Sequence, residues 1–114
     1  MSYVLQENED VDLKTDAYAS ILKVQLGKKL KVSVIIKNEH GANALSYKVL
    51  ESNDEVGATG TWHESTAETH LTHGLTAKVT CDPAPVWIDV QAIRRQLTTP
   101  VDSKISVWVK GVGL

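Results

Sequence analysis

The chain has 114 residues, 42% of them hydrophobic and 23% charged, with a formal net charge of −2. That length makes one domain, large enough to bury a core without metal or disulfide staples. The near-neutral charge gives no general drive toward nucleic acid or an anionic membrane, and Cys81, the single cysteine, excludes an intrachain disulfide.

There is no Phe, so the core has to be built from Val, Leu, Ile and Ala. The opening residues lack the basic and apolar regions of a signal peptide. No apolar run approaches the roughly 20 residues that span a bilayer. The expectation is a chain made and used in a reducing, soluble setting.

Residues 1–20 carry Glu7, Glu9, Asp10, Asp12 and Asp16 against Lys14 and show no clear periodicity. They are expected to form an acidic arm with at most a short strand, ahead of a folded domain over residues 21–114. Residues 21–48 are the reverse, with Lys23, Lys28, Lys29, Lys31, Lys37 and Lys48 against Glu39. Lysines of this kind protect the surface of a sheet, and they could also receive the acidic arm of a neighbouring copy.

Strand candidates follow in order. Ile21–Leu26 is the first and ends at Gly27. Leu30, Val32, Val34 and Ile36 then alternate with their neighbours, a strong strand pattern. Asn38–Asn43 has turn composition, and Leu45, Tyr47 and Val49 resume the alternation. A hairpin centred on that turn places Ile36 opposite Leu45, Val34 opposite Tyr47 and Val32 opposite Val49, all on one face. Ser52–Gly60 reads as a loop, Thr61–Ser65 as a short strand, and residues 66–74 as a turn. Leu75, Ala77, Val79 and Cys81 alternate until Pro83 and Pro85 end the run. Cys81 is in phase with its neighbours and reads as a small buried hydrophobe.

Two tryptophans break the pattern. Ile88 and Val90 share one parity, and Trp87 has the other. Ile105, Val107 and Val109 share one parity, and Trp108 has the other. Side chains alternate faces along a strand, so each Trp points away from the aliphatic row of its own strand. A closing hairpin with its turn near residues 95–102 would set Trp87 opposite Trp108 as a cross-strand aromatic pair. Such a pair would be covered by the arm or by another chain. Six to eight short strands with no helical stretch predict an all-β antiparallel sandwich, jelly-roll-like, behind an N-terminal arm.

No constellation reads as catalytic. His63, His70 and His73, with Glu64 and Glu68 nearby, have turn-rich flanks that do not favour the three or four converging ligands of a zinc site. Gly57–Gly60 lacks the Lys-Ser/Thr and the helix of a phosphate loop. No Ser sits in a nucleophile elbow. Arg94-Arg95 is a basic pair at a strand end, either solvated or set against an acidic partner. Trp62 caps the core or offers a platform for a carbohydrate.

The run Val34-Ile35-Ile36-Lys37-Asn38, then Gly41–Val49, Ser52-Asn53-Asp54 and Thr61-Trp62, resembles small β-sandwich virion proteins of tailed bacteriophages. Asp82-Pro83, Trp87–Gln91 and Ser106–Trp108 fit the same layout, and the likeness covers about residues 30–110. The Ser-Asn-Asp…Trp element is also similar to discoidin-type, galactose-binding-like sandwiches, which are usually longer.

The virion resemblance implies a capsid decoration or cement protein, frequently trimeric. Such a protein is made in the host cytoplasm and sits on the capsid surface, with the major capsid protein as partner. It implies no enzyme activity, cofactor, metal, nucleic acid or membrane. Trp87, Trp108 and Ile35 are then the expected contact surface, with Lys28, Lys29 and Lys31 as an electrostatic rim. The alternatives are a head–tail joining or tail-associated virion protein, and a carbohydrate-binding module using Trp62 and the Ser52–Gly60 loop.

Overall fold

A computed structural model describes residues 2–26, 31–53, 61–82, 84–95 and 101–112. These residues form eight strands and no helix: β1 (Ser2–Leu13), β2 (Ala19–Gln25), β3 (Val32–Asn38), β4 (Leu45–Ser52), β5 (His63–Leu71), β6 (Thr76–Cys81), β7 (Trp87–Arg94) and β8 (Ser103–Val112). One sheet has the order β1-β8-β3-β6 and the other β2-β7-β4-β5. All pairings are antiparallel. Two four-stranded sheets in these orders make a jelly roll, a slab of 44 × 32 × 18 Å.

The alternation in the sequence becomes the inside of the sandwich. Val32, Val34 and Ile36 of β3 and Ile105, Val107 and Val109 of β8 line the first sheet, all fully buried. Leu45, Tyr47 and Val49 of β4 and Ile88, Val90 and Ala92 of β7 line the second. Leu13, Leu22, Leu26, Leu71 and Cys81 close the ends. Each buried Val, Leu or Ile contributes about 1.5–3 kcal/mol, so these two central strand pairs carry most of the stabilisation.

Both expected hairpins are replaced by crossings between sheets. β3 pairs with β6 and β8, while β4 pairs with β5 and β7. Val34 therefore lies opposite Val79 and Val109, not Tyr47, and it meets the Tyr47 sheet across the core. β7 and β8 also belong to different sheets, so Trp87 and Trp108 do not pair. Six residues separate β3 from β4, enough chain to cover the ~10 Å between stacked sheets.

The acidic stretch expected as an arm supplies β1 and the start of β2. β1 is an edge strand hydrogen-bonded to β8 over most of its length, with register shifts between Val4 and Gln6 and between Asn8 and Val11. Bulges and charges of this kind discourage further strands from adding at an edge. At the second bulge Asp10 takes φ 53°, a left-handed conformation that Asp tolerates better than most residues. Its N–H donates to Ser106 Oγ at 2.9 Å, and Ser106 Oγ–H donates to Glu39 Oε2 at 2.9 Å. Lys37 Nζ lies 3.1 Å from Glu39.

The Lys37 ammonium, followed by the Ser106 hydroxyl, holds the Glu39 carboxyl below its usual range. A depressed folded-state value stabilises the protein above the unfolded glutamate range, about pH 4.3. That contribution is lost as pH falls below it toward the folded value. Glu39→Gln is therefore expected to flatten the decline of the thermal midpoint between about pH 5 and pH 3. An unchanged acid slope would remove Glu39 from the account of acid stability.

The turn at residues 66–74 is displaced, because β5 runs on to Leu71 and the bend is confined to Thr72–Leu75. Gly74 has φ +73°, as the third position of a type II turn requires. Its N–H donates to the Asn38 carbonyl at 3.0 Å, which ties the turn to the end of β3.

Candidate functional site

The outer face of the first sheet carries the most distinctive surface. Across it, Glu7 of β1 lies opposite Trp108 of β8, Trp108 opposite Ile35 of β3, and Ile35 opposite Lys78 of β6. The row therefore reads acid, indole, aliphatic, base from edge to edge. Next to it Val4 lies opposite Lys110 and is 47% exposed. Trp108 and Ile35 are half-buried and stand outside the core cluster. The indole N–H donates to Glu9 Oε1 at 2.8 Å. A tethered aromatic beside aliphatics with charges around them has the anatomy of an interface hot spot.

The other expected contact residues scatter. Trp87 is half-buried on the opposite sheet, between Gln25 and Ser52. Its Nε1–H is buried and has no acceptor among the described residues. Lys31 is half-buried just before β3. Lys28 and Lys29 lie outside the described residues, as does most of the Ser52–Gly60 loop. Trp62 is half-buried, with Lys23 Nζ 5.4 Å from its ring centroid. The structure thus brings Trp108 and Ile35 together, and places Trp87 on the other sheet and Trp62 just before β5.

The histidines separate for a simple reason. His63 and His70 are seven residues apart on the continuous strand β5, roughly 23 Å at strand rise. Among the described residues no three His, Cys, Asp or Glu side chains group as a metal site. His70 Nδ1 instead hydrogen-bonds Ser46 Oγ at 2.7 Å.

The two arginines also diverge. Arg94 donates from Nε and Nη2 to Asp16 Oδ1 at 3.0 and 2.7 Å, and from Nη1 to Asp102 Oδ1 at 2.6 Å. It ties the β1–β2 connection to the chain entering β8. A second strap runs from Tyr18, whose O–H donates to Glu68 Oε1 at 2.5 Å while Lys48 Nζ sits 4.4 Å over its ring. Burial, then the Glu68 carboxylate, push the Tyr18 phenol well above its usual range. These clamps join strands at the rim and leave the Trp108 face open.

No family model matches this sequence, and no characterised protein matches it. Among solved structures it is similar to a chain from Bacillus endospore appendages, described as a novel family of disulfide-linked pili. That likeness has a TM-score of 0.50 at 14% identity, covering 97% of this chain and 89% of the other. At that identity the likeness is one of fold. The class defined by strand order is a jelly-roll sandwich, and the outer face of its first sheet carries a small apolar row among charges.

Proposed function

We propose that this chain is a structural, assembly-forming protein that docks through the outer face of its first sheet. The Val4–Trp108–Ile35 patch supports this reading. It is apolar, tethered at its indole to Glu9, and edged by Glu7, Lys78 and Lys110. The finer reading is a capsid decoration protein of a tailed bacteriophage, a trimer on the virion surface with the major capsid protein beneath it. Many weak contacts repeated by symmetry hold such a protein without one tight site. Its work is mechanical: it clamps neighbouring capsid subunits and needs neither a cofactor nor nucleic acid.

The appendage neighbour favours a second reading, a subunit that assembles into a fibre with copies of itself. A fibre joined only by disulfides needs two cysteines per subunit, one for each neighbour. This sequence has one, and Cys81 is 6% exposed at the end of β6. Burial, then the Glu51 charge, push its thiol up to about 11, so little nucleophilic thiolate exists near neutrality. A fibre of these residues is therefore not joined by disulfides alone. Cys81 is expected to resist a thiol reagent in the native protein at pH 8 (roughly the free-thiol value) and to react in denaturant. Fast native labelling would show that the β6 end opens.

The reading is tested by sedimentation velocity and negative-stain microscopy of the purified chain, alone and with emptied phage capsids. Trimers that bind capsids at fixed lattice positions are the expected result. Filaments without capsids would select the second reading. A monomer that joins neither would overturn both.

A further inference from the structure

An open groove of about 640 Å³ crosses one end of the second sheet's outer face. Its origin is a size difference between neighbouring strands. The central strand β4 and the residue before it present small side chains there, Ser46 and Ala44. The flanking chains present long ones, Ile93 and Arg95 from β7 and its continuation, Glu68 and His70 from β5. Register places Ile93, Ser46 and His70 in one row across the three strands. Two ladder spacings, roughly 9.6 Å, separate the walls, and the volume lies within the range of small-molecule sites.

The walls differ chemically. Arg95 stands on one, and its guanidinium has no carboxylate partner among the described residues, in contrast to the clamped Arg94. Glu68 and His70 stand on the other, two residues apart on one face of β5. Glu68 takes the Tyr18 O–H on one oxygen, and a carboxylate has further acceptor sites to offer. The Ser46 hydroxyl meets His70 at Nδ1, which leaves Nε2 for the groove. Among the described residues no carboxylate hydrogen-bonds His70 Nε2, so this Ser–His pair lacks the third member of a hydrolase triad. Ser46 is a positioning residue.

We infer that this groove binds a small carboxylic acid that carries hydroxyl or ammonium groups at its other end. The carboxylate lies on Arg95, where a planar fork gives paired hydrogen bonds. The donor end lies on Glu68 and His70, and the body of the ligand rests on Ala44 and Ile93. Sugar acids and ω-amino acids share this chemistry. The site is separate from the Trp108 face, which is on the other sheet.

Amide chemical shifts of the full chain test the inference, with D-glucuronate against D-glucose and 6-aminohexanoate against hexanoate. Shifts at Ala44, Ser46, His70 and Ile93 with millimolar affinity are expected for at least one of the two bifunctional acids and for neither control. The acid that binds identifies the source. Arg95→Gln should weaken binding about tenfold or more and Arg95→Lys should recover part of it. Thermal midpoints should stay unchanged, because Arg95 is exposed. Glu68→Gln should weaken the amino acid more than the sugar acid. Ser46→Ala should alter the tautomer balance seen in the His70 ring nitrogen shifts. Equal shifts from glucose and glucuronate, unaltered binding to Arg95→Gln, or no response to either acid at about 20 mM would overturn the proposal.

Discussion

Asn38→Ala is expected to destabilise the fold by about 3–4 kcal/mol, a large share of the ~5–15 kcal/mol that holds a domain. Asn38 is fully buried at the end of β3. Its Nδ2 donates to the carbonyls of Asn43 and Leu71 at 2.9 and 3.0 Å. Its Oδ1 accepts the His40 N–H at 3.0 Å and the Ser103 hydroxyl at 3.3 Å. One side chain thus joins the β3–β4 connection, the end of β5 and the start of β8. Truncation strands the buried Leu71 carbonyl, takes the acceptor from the part-buried His40 N–H and leaves a cavity. Each buried orphan costs about 1–3 kcal/mol. Asn43 suffers less, because Ser103 Oγ also reaches its carbonyl at 3.3 Å.

The thermal midpoint should fall by roughly 10–15 °C. Asn38→Asp sharpens the test. It keeps an acceptor for His40 and Ser103 but turns a second one toward two carbonyls, with a buried charge. It should be at least as damaging as Ala near neutrality and recover in part in acid, once the carboxyl can donate. A midpoint shift under about 3 °C for Asn38→Ala would mean that the sandwich end is held by its backbone bonds alone.

The composition of the core was legible in the sequence, because period-two alternation reports which face a residue occupies. Val32, Val34, Ile36, Ile105, Val107 and Val109 all point inward as that pattern requires. Alternation does not report which strand lies alongside. Two runs in phase satisfy a hairpin and a face-to-face crossing equally well, and β3–β4 and β7–β8 both took the crossing.

β1 was obscured by its own bulges, since each register shift breaks the alternation and scatters Leu5, Val11 and Leu13 among acids. β5 was shortened in the reading because its residues are almost all polar and exposed. Its threonines, β-branched and suited to strands, were the available signal. The groove left no motif at all. It arises from small residues flanked by large ones on neighbouring strands, a relation that exists only once the register is known. Of the proposed contact residues, parity placed Trp108 and Ile35 on an outer face, where the structure has them side by side, but the cross-strand partner expected for Trp108 was wrong for the same reason as the hairpin.

Ile35→Glu is expected to abolish assembly while leaving the monomer intact. The position suits this separation of effects. Ile35 is half-buried on the outer face, opposite Lys78 on one side and Trp108 on the other. In the free chain a glutamate there gains a cross-strand lysine, worth about 0.2–1 kcal/mol. That offsets the modest loss of apolar contact, and the monomer's midpoint should move by less than about 4 °C.

In an assembly the same carboxylate would sit at the centre of a desolvated patch, beside an indole whose N–H already serves Glu9. Charges are depleted from such centres because desolvating one costs several kcal/mol, which a single lysine at the rim repays only in part. A penalty of about 3 kcal/mol per contact lowers each affinity by more than about a hundredfold, and repetition over a lattice compounds the loss. Sedimentation with capsids, and sedimentation of the chain alone, should show unassembled protein at concentrations where the wild type associates. Trp108→Ala should act in the same direction. Arg95→Gln, on the opposite sheet, should leave assembly unchanged. If Ile35→Glu assembles like the wild type and Arg95→Gln does not, the docking face belongs to the second sheet, and the groove rather than the tryptophan row is the contact.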